Sequence, residues 1–360
     1  MYLVLTVTAA VNLIPTQLMN IQTFNDFLPH DILSQIDQEI VKRGWHYGWR
    51  SRATRKADIP FSHWNIDFTN ASGENGLDVV DKLTDPILSA WNYIKENHFA
   101  GARLVRCYIN GHTYGVEGYP HKDSIRNGDK TLLVYLNQEW KRDWGGETVF
   151  YDKDQVLYAE LPKRNKAILF DGNVYHVAKG VTRACASLRV TLMFKITTAE
   201  AIDPVRDQIQ EFLSLVNADN TAHSANSLTG HLLRTYDHLK YAGQSQDICN
   251  AGAVHSLFGT NIFQWNNRLT VEDKPRIAAV AGEKATQLSE LFSQLPRPGI
   301  LESYIGEFDG KLITLDGSQI EVSAEDFNAL CVIEAANLFD QSGLDPYPKL
   351  SKLWDQLNTQ

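Results

Sequence analysis

Three residues constrain this chain more than any others: His121 and Asp123, in Tyr119-Pro-His-Lys-Asp123, and His176, in Phe170-Asp-Gly-Asn-Val-Tyr-His176. Two imidazoles and one carboxylate on the same side of an ion leave the opposite positions open, the arrangement a mononuclear iron(II) requires. A single intervening residue lets His121 and Asp123 leave one face of an extended segment, because side chains repeat every second position in a strand. His176 must then come from another strand folded alongside, and such a closure is typical of a rolled sheet.

The neighbouring sequence strengthens this reading. Thr131-Leu-Leu-Val-Tyr-Leu-Asn137 is an apolar run that predicts a buried strand, and the paired glycines of Trp144-Gly-Gly-Glu-Thr-Val-Phe150 permit a tight turn or bulge into the next one. Ser187 to Phe194 alternates, with Arg189, Thr191 and Met193 on one face and Leu188, Val190, Leu192 and Phe194 on the other. A guanidinium with a hydroxyl two residues on, facing the same cavity as the metal, suits the far carboxylate of a dicarboxylic co-substrate. Arg183 competes for this role, but it follows the turn-like Lys179-Gly-Val-Thr182, whereas Arg189 sits in the alternating strand.

This ordered set of motifs resembles the 2-oxoglutarate and iron(II)-dependent dioxygenases, prolyl 4-hydroxylase-like branch. The resemblance rests on His121-x-Asp123, Tyr135-Leu-Asn137, Gly145-Gly-Glu-Thr148 with Phe150, Leu169-Phe170 before His176, and Arg189-x-Thr191, and it covers roughly the N-terminal 200 residues. It implies a double-stranded β-helix, or jelly-roll, with flanking helices. It further implies iron(II) on His121, Asp123 and His176, 2-oxoglutarate anchored by Arg189 and Thr191, dioxygen as oxidant, and ascorbate as a candidate reductant. By position in the family, Tyr108, Asn110 and Thr131 or Tyr135 are the candidates for co-substrate contact. The implied reaction hydroxylates an unactivated C–H bond, of a prolyl or other amino-acid residue, with succinate and carbon dioxide as co-products. Halogenating relatives lack the carboxylate ligand; Asp123 is present, so oxygen insertion is expected. A peptide or small molecule is the expected substrate.

At 360 residues the chain is long enough for two domains, expected at 1–200 and 204–360. A net charge of -9 argues against the broad basic surface that phosphate backbones require, so nucleic acid is not an expected partner. Cys107, Cys185, Cys249 and Cys331 stand singly, suggesting neither a zinc knuckle nor a disulfide framework, and a reducing cytoplasm fits best. Tyr2 to Pro15 is apolar, but its first Lys or Arg neighbour is Lys42, so a secretory signal is not expected; no window is suited to span a bilayer.

Val4 to Thr8 reads as a strand or leader. Asp31 to Arg43 has helical periodicity, as does Gly76 to His98, where Leu77, Val80, Leu83 and Ile87 fall on the apolar face and Pro86 marks a kink or fresh start. The aromatic and basic stretch from Gly44 to Asp67 predicts paired strands, with Arg50 to Asp58 as a basic loop or a lid over substrate. Arg103 to Ile109 predicts an alternating strand and Asn110 to Gly115 a turn. Glu147 is expected to pair within its turn, and His112 and Lys122 to face solvent.

Beyond Asp203-Pro204, helical periods dominate: Val205 to Val216, Leu228 to Ala242, Gln246 to His255, Pro275 to Leu295 and Ala324 to Gln341, with a hairpin around Asp316-Gly317. The fold class expected is therefore α+β: a jelly-roll with flanking helices, then a mostly α-helical domain with a small β-hairpin. His223, His231, His238 and His255 enrich the second part, which loosely resembles the HD superfamily of helical metal-dependent hydrolases. Ser256 stands where that family has its paired Asp, and Glu334 is the late carboxylate on offer. A second metal on His231, His238, His255 and Glu334 is one expectation; buried, carbonyl-bonded histidines are the other. Homodimerisation, covering the oxygenase mouth, or sensing and scaffolding around a weakly active iron site are the further roles open to the chain.

Overall fold

The computed structural model describes residues 21–49, 62–69, 76–223, 226–341 and 343–358. The N-terminal strand or leader and the Arg50 to Asp58 lid lie outside them. In chain order the first part comprises β1 (Gln22–Phe24), α1 (His30–Lys42), β2 (His46–Trp49), β3 (His63–Asp67), α2 (Ile87–His98), β4 (Arg103–His112), β5 (Asp129–Tyr135), β6 (Thr148–Asp152), β7 (Gln155–Glu160), β8 (Ala167–Asp171), β9 (Tyr175–Ala178) and β10 (Arg189–Thr197).

Seven strands form the main sheet in the order β1-β8-β5-β10-β4-β3-β2, and β7-β6-β9 form a second sheet facing it. All pairings are antiparallel. The order is that of a jelly-roll, in which strands distant in sequence become neighbours. The strand alternation expected for β10 separates two cores. Leu192 and Phe194 pack with Ile36, Trp91, Cys107 and Ile109 beneath α1 and α2, while Met193 packs with Tyr108, Tyr135, Phe150 and Phe170 between the sheets.

Two local expectations are corrected. The alternation of β4 breaks where Lys195 pairs with Arg106 and Ile196 with Leu104, so a bulge at Val105 turns Leu104 to the same side as Cys107. The helical run from Gly76 is a 3-10 turn, Val80–Lys82, and a separate helix that starts after Pro86; Leu77 is exposed.

The second part comprises α3 (Pro204–Leu215), β11 (Ala222–His223), β12 (Asn226–Ser227), α4 (Leu228–Tyr241), α5 (Gln246–Val254), α6 (Lys274–Ala281), α7 (Glu283–Gln294), α8 (Gly299–Tyr304), β13 (Lys311–Ile313), β14 (Gln319–Glu321), α9 (Ala324–Gln341) and α10 (Pro348–Asn358). Asp203 caps α3, its carboxylate accepting from the Val205 and Arg206 amides, with Pro204 in the first turn. The period from Pro275 to Leu295 is two helices, because Gly282 at φ 93° interrupts it. These helices share an apolar core that includes Leu232, Tyr236, Val254, Phe292, Leu330 and Trp354. Among the described residues, no helix is long and apolar enough to cross a membrane.

Candidate active site

The first two ligand candidates stand on the segment between β4 and β5, and the third on β9. Backbone hydrogen bonds stitch these segments together: the His121 amide donates to the His176 carbonyl at 3.1 Å, the His176 amide returns the bond at 3.0 Å, and the Asp123 amide donates to Gly172 at 2.8 Å. The side chains consequently converge. One donor atom from each of His121, Asp123 and His176 lies within 4.8 Å of the other two, and among the described residues this is the only such group of three.

Each imidazole is oriented from behind. His121 Nδ1 donates to the Tyr119 carbonyl at 2.7 Å and His176 Nδ1 to the Val174 carbonyl at 3.0 Å. Since a carbonyl can only accept, both protons sit on Nδ1 and both Nε2 lone pairs face Asp123, at 3.4 Å from Oδ1 and Oδ2 respectively. Cis ligands on an octahedral ion with bonds of ~2.1 Å lie ~3 Å apart, so the donor set fits a divalent metal. Burial alone would raise the Asp123 carboxyl, but the Lys195 ammonium more than offsets it and holds its pKa well below the ordinary range. Burial lowers His176 to about 4, leaving it an unprotonated ligand at neutral pH.

Lys195 and Thr131 support the carboxylate. The Lys195 ammonium pairs with Asp123 Oδ2, the Thr131 hydroxyl donates to the same oxygen at 2.6 Å, and Lys195 also reaches Thr131 at 3.1 Å. Lys195 was legible, since it continues the Arg189, Thr191, Met193 face of β10 by one more step.

Arg189 is 1% exposed. Its Nε donates to the Gly146 carbonyl at 2.6 Å and its Nη2 to Thr148 Oγ1 at 2.8 Å, with Tyr135 beneath the guanidinium at 5.4 Å. Tyr135 donates its one hydroxyl proton to the Glu160 carbonyl at 3.1 Å, so it accepts from Thr148 at 2.6 Å, and the chain Arg189, Thr148, Tyr135, Glu160 is ordered end to end. Thr191 is buried beside them, opposite Asn110 on one side and Tyr135 on the other. Arg183 instead bonds the Tyr114 hydroxyl at an exposed position. Gly146 has φ 75°, and a Cβ there would meet Arg189 Cδ at 3.1 Å and Trp140 at 2.9 Å, so the second glycine of the Gly-Gly pair makes room for the guanidinium.

Tyr108 is buried, with Lys195 5.8 Å above its ring, and Asn110 accepts from His63. His112, expected to face solvent, is 1% exposed. The strand runs on through Asn110 and Gly111, so His112 keeps the inward phase of Tyr108 and Asn110, and it pairs in register with Arg189. Its stacking partner is His63, also 1% exposed, with ring centroids 4.7 Å apart. No sequence signal pointed to His63, because its neighbours in the site are all distant along the chain. Lys122 is partly buried over the Tyr175 ring, and Glu147 accepts at its carbonyl from the Lys179 amide.

The four residues expected to share a second metal do not gather as one ligand shell. Glu334 accepts from Arg297 at 3.0 Å through Nε and is surrounded by the helical core, so its charge is spent on the guanidinium. His231 Nδ1 bonds Asp340 at 2.8 Å, a carboxylate that Arg234 also holds and that lies 3.8 Å from His238. His231 Nε2 and His255 Nε2 face one another at 3.3 Å, and His255 Nδ1 bonds the Gly252 carbonyl at 2.7 Å. All four cysteines are free thiols.

Residues 105–194 match the family model of the 2OG-Fe(II) oxygenase superfamily, and residues 212–297 match that of a domain of unknown function, DUF6817. No curated protein matches the chain. Among solved structures, an oxidoreductase of the 2OG-Fe(II) oxygenase family from Burkholderia pseudomallei is 13% identical, with a TM-score of 0.38, over 49% of this chain and 84% of that one. A prolyl hydroxylase from Trichoplax adhaerens, in complex with a hypoxia inducible factor oxygen degradation domain peptide fragment, is 16% identical over 52% and 87%, with a TM-score of 0.36. A prolyl-4-hydroxylase from Pseudomonas putida is 18% identical over 51% and 95%, with a TM-score of 0.36. The jelly-roll part of this chain is a 2OG-Fe(II) oxygenase domain, a 2-oxoglutarate-dependent dioxygenase whose family works with iron(II), 2-oxoglutarate and dioxygen.

Proposed function

We propose that this oxygenase domain hydroxylates an unactivated C–H bond of a prolyl or other amino-acid residue. The observation that carries the reading is the pairing of a convergent, back-anchored His121, Asp123 and His176 set with a buried guanidinium, Arg189, in the same barrel. The motif order of the prolyl 4-hydroxylase-like branch supports the substrate class. Residues 1–200 are taken as the catalytic unit and 204–360 as a helical unit.

In this reading His121, Asp123 and His176 hold iron(II). When bound, iron(II), 2-oxoglutarate and dioxygen supply an oxidative decarboxylation, to succinate and carbon dioxide, coupled to insertion of one oxygen atom into the substrate. Arg189, ordered by Gly146 and Thr148, grips the distal carboxylate of 2-oxoglutarate with donors in a planar fork, and Thr191 and Tyr135 border the same end. Tyr108 and Asn110 line the wall contributed by β4. Lys195 balances the Asp123 charge in a site of low dielectric, which keeps the ligand ionised while water is excluded.

The test is succinate release by the purified, iron-loaded full chain, screened over prolyl peptides, other peptides and free amino acids. Release that depends on iron, on 2-oxoglutarate and on one defined substrate supports the assignment. No binding of 2-oxoglutarate to the metal-loaded protein would end it.

A further inference from the structure

The proton inventory around His63 is fixed by its neighbours. Asn65 Nδ2 donates to the Ile109 carbonyl at 3.3 Å, which identifies that atom as the amide nitrogen, and it also donates to Asn110 Oδ1 at 3.4 Å. Asn110 therefore presents its oxygen, and His63 Nε2, 3.2 Å from that oxygen, must carry the proton. A neutral His63 is then left with a bare lone pair on Nδ1. Among the described residues that atom has no hydrogen-bond partner, and neither does Nδ1 or Nε2 of His112.

Three orphaned ring nitrogens on two side chains that are each 1% exposed are costly, because a buried polar atom without a partner loses its hydration and gains nothing in return. Both rings lie on the inward face of the main sheet, which His112 shares with Asn110 and with its register partner Arg189. Gly111, between Asn110 and His112, directs its missing Cβ at Trp45 and Leu188 on the opposite side of the sheet. Burial holds both imidazoles neutral at pH 7, His63 near 4 and His112 well below 6.5, with the Arg189 charge acting in the same direction. A carboxylate would leave the His63 lone pair unmet, and an ammonium would meet the repulsion of Arg189. A carboxamide offers both an N–H and a carbonyl.

We propose that His63 and His112 are specificity-determining residues that orient an amide of the substrate, His63 Nδ1 accepting the amide N–H and a ring N–H of His112 donating to the carbonyl. The substrate is accordingly a peptidyl or otherwise N-acylated residue and not a free amino acid. The inference rests on the oxygenase reading above and refines it.

The experiment uses the full chain loaded with Mn(II) and 2-oxoglutarate, titrated by calorimetry with N-acetylproline methylamide, N-acetylalanine methylamide and free proline. At least one diamide is expected to bind ten times more tightly than free proline. His63→Phe and His112→Phe, which keep the stacked shape, are expected to lose at least tenfold in diamide affinity while 2-oxoglutarate affinity stays within threefold. His63→Gln restores an acceptor and a donor, so it should recover most of the loss; this recovery guards against a merely structural effect of the aromatic replacement. Diamides that bind no better than proline, or variants that retain wild-type diamide affinity, would overturn the proposal. So would a parallel tenfold loss of 2-oxoglutarate affinity, which would give the pair to the co-substrate. If 2-oxoglutarate fails to bind the wild-type protein, the oxygenase reading falls and takes this inference with it.

Discussion

Replacing Arg189 by Met tests the co-substrate anchor with little change of volume. The guanidinium already donates to Gly146 and Thr148, so it is held in place before any ligand arrives and loses little rotamer entropy on binding. Two charge-assisted hydrogen bonds to a carboxylate contribute about 1.5–3 kcal/mol each, and their joint loss is about 3–6 kcal/mol. At 1.4 kcal/mol per tenfold, the Kd for 2-oxoglutarate should rise by about 10²-fold or more. The variant also orphans the Gly146 carbonyl, at about 1–3 kcal/mol of stability, so thermal unfolding is recorded on the same samples. Calorimetry of 2-oxoglutarate into the Mn(II)-loaded full chain reads the effect, with Arg183→Ala as the exposed control. A folded Met variant with less than a fivefold change, or a larger loss in the Arg183 variant, would refute the reasoning.

His176→Ala should abolish iron-dependent succinate release and weaken Mn(II) binding by at least tenfold, read by metal titration, because it removes one of the three proposed ligands, whose orientation the backbone has already fixed. Gly146→Ala places a Cβ 3.1 Å from Arg189 Cδ at a positive φ; it should raise the Kd for 2-oxoglutarate by about tenfold while leaving metal affinity unchanged, in the same calorimetric assay. The folded pKa of His63, lowered to about 4 by burial, lies below the 6.5 of the unfolded chain, which takes up the proton first. Its contribution to stability is present above pH 6.5 and is lost as pH falls towards 4, so His63→Phe should flatten the urea-unfolding stability profile of the metal-free protein across that window. Arg297→Leu leaves Glu334 buried and unneutralised and should cost about 3–5 kcal/mol by urea unfolding, more than Glu334→Gln, which removes the charge that needs the partner.

What the sequence made legible was whatever depends on short-range periodicity. The inward face of β10, the same-face pair His121 and Asp123, the Asp203-Pro204 helix start and the Asp316-Gly317 hairpin each follow from alternation, helical spacing or turn chemistry within a dozen residues. The misses are of two kinds. Some are local irregularities, such as the bulge at Val105 and the break at Gly282, where one residue changes the phase of everything after it. Others are partnerships across the fold. His112 looked like a turn residue because Asn110-Gly111 is turn chemistry, yet pairing with β3 and β10 carries the strand through it. Glu334 looked like a free late carboxylate because nothing near it in sequence announces Arg297.

The helical half bears on the metal site through the loop that leaves Asp123. Between Asp123 and β5 the chain is tied by Ser124 donating to Asp129 at 2.6 Å, by Thr197 donating to the other oxygen of Asp129 at 2.7 Å, and by Gly172 donating to the Asp129 carbonyl at 2.8 Å. Arg126, in the middle of this loop, donates to the Ala201 carbonyl at 3.3 Å and lies 3.8 Å from Asp237 on α4. Asp237 is itself gripped by Arg206 of α3 at 2.7 and 2.8 Å, and Arg103 at the start of β4 pairs with Asp207 at 2.6 Å. A partly buried guanidinium needs carboxylates close by, and Arg126 has two, Asp129 of its own loop at 3.9 Å and Asp237, which the helices supply. The first two helices after β10 therefore act as part of the wall that holds the Asp123 loop, and a chain cut at Asp203 would strip Arg126 and Arg103 of Asp237 and Asp207 at the point where the ligand geometry is set.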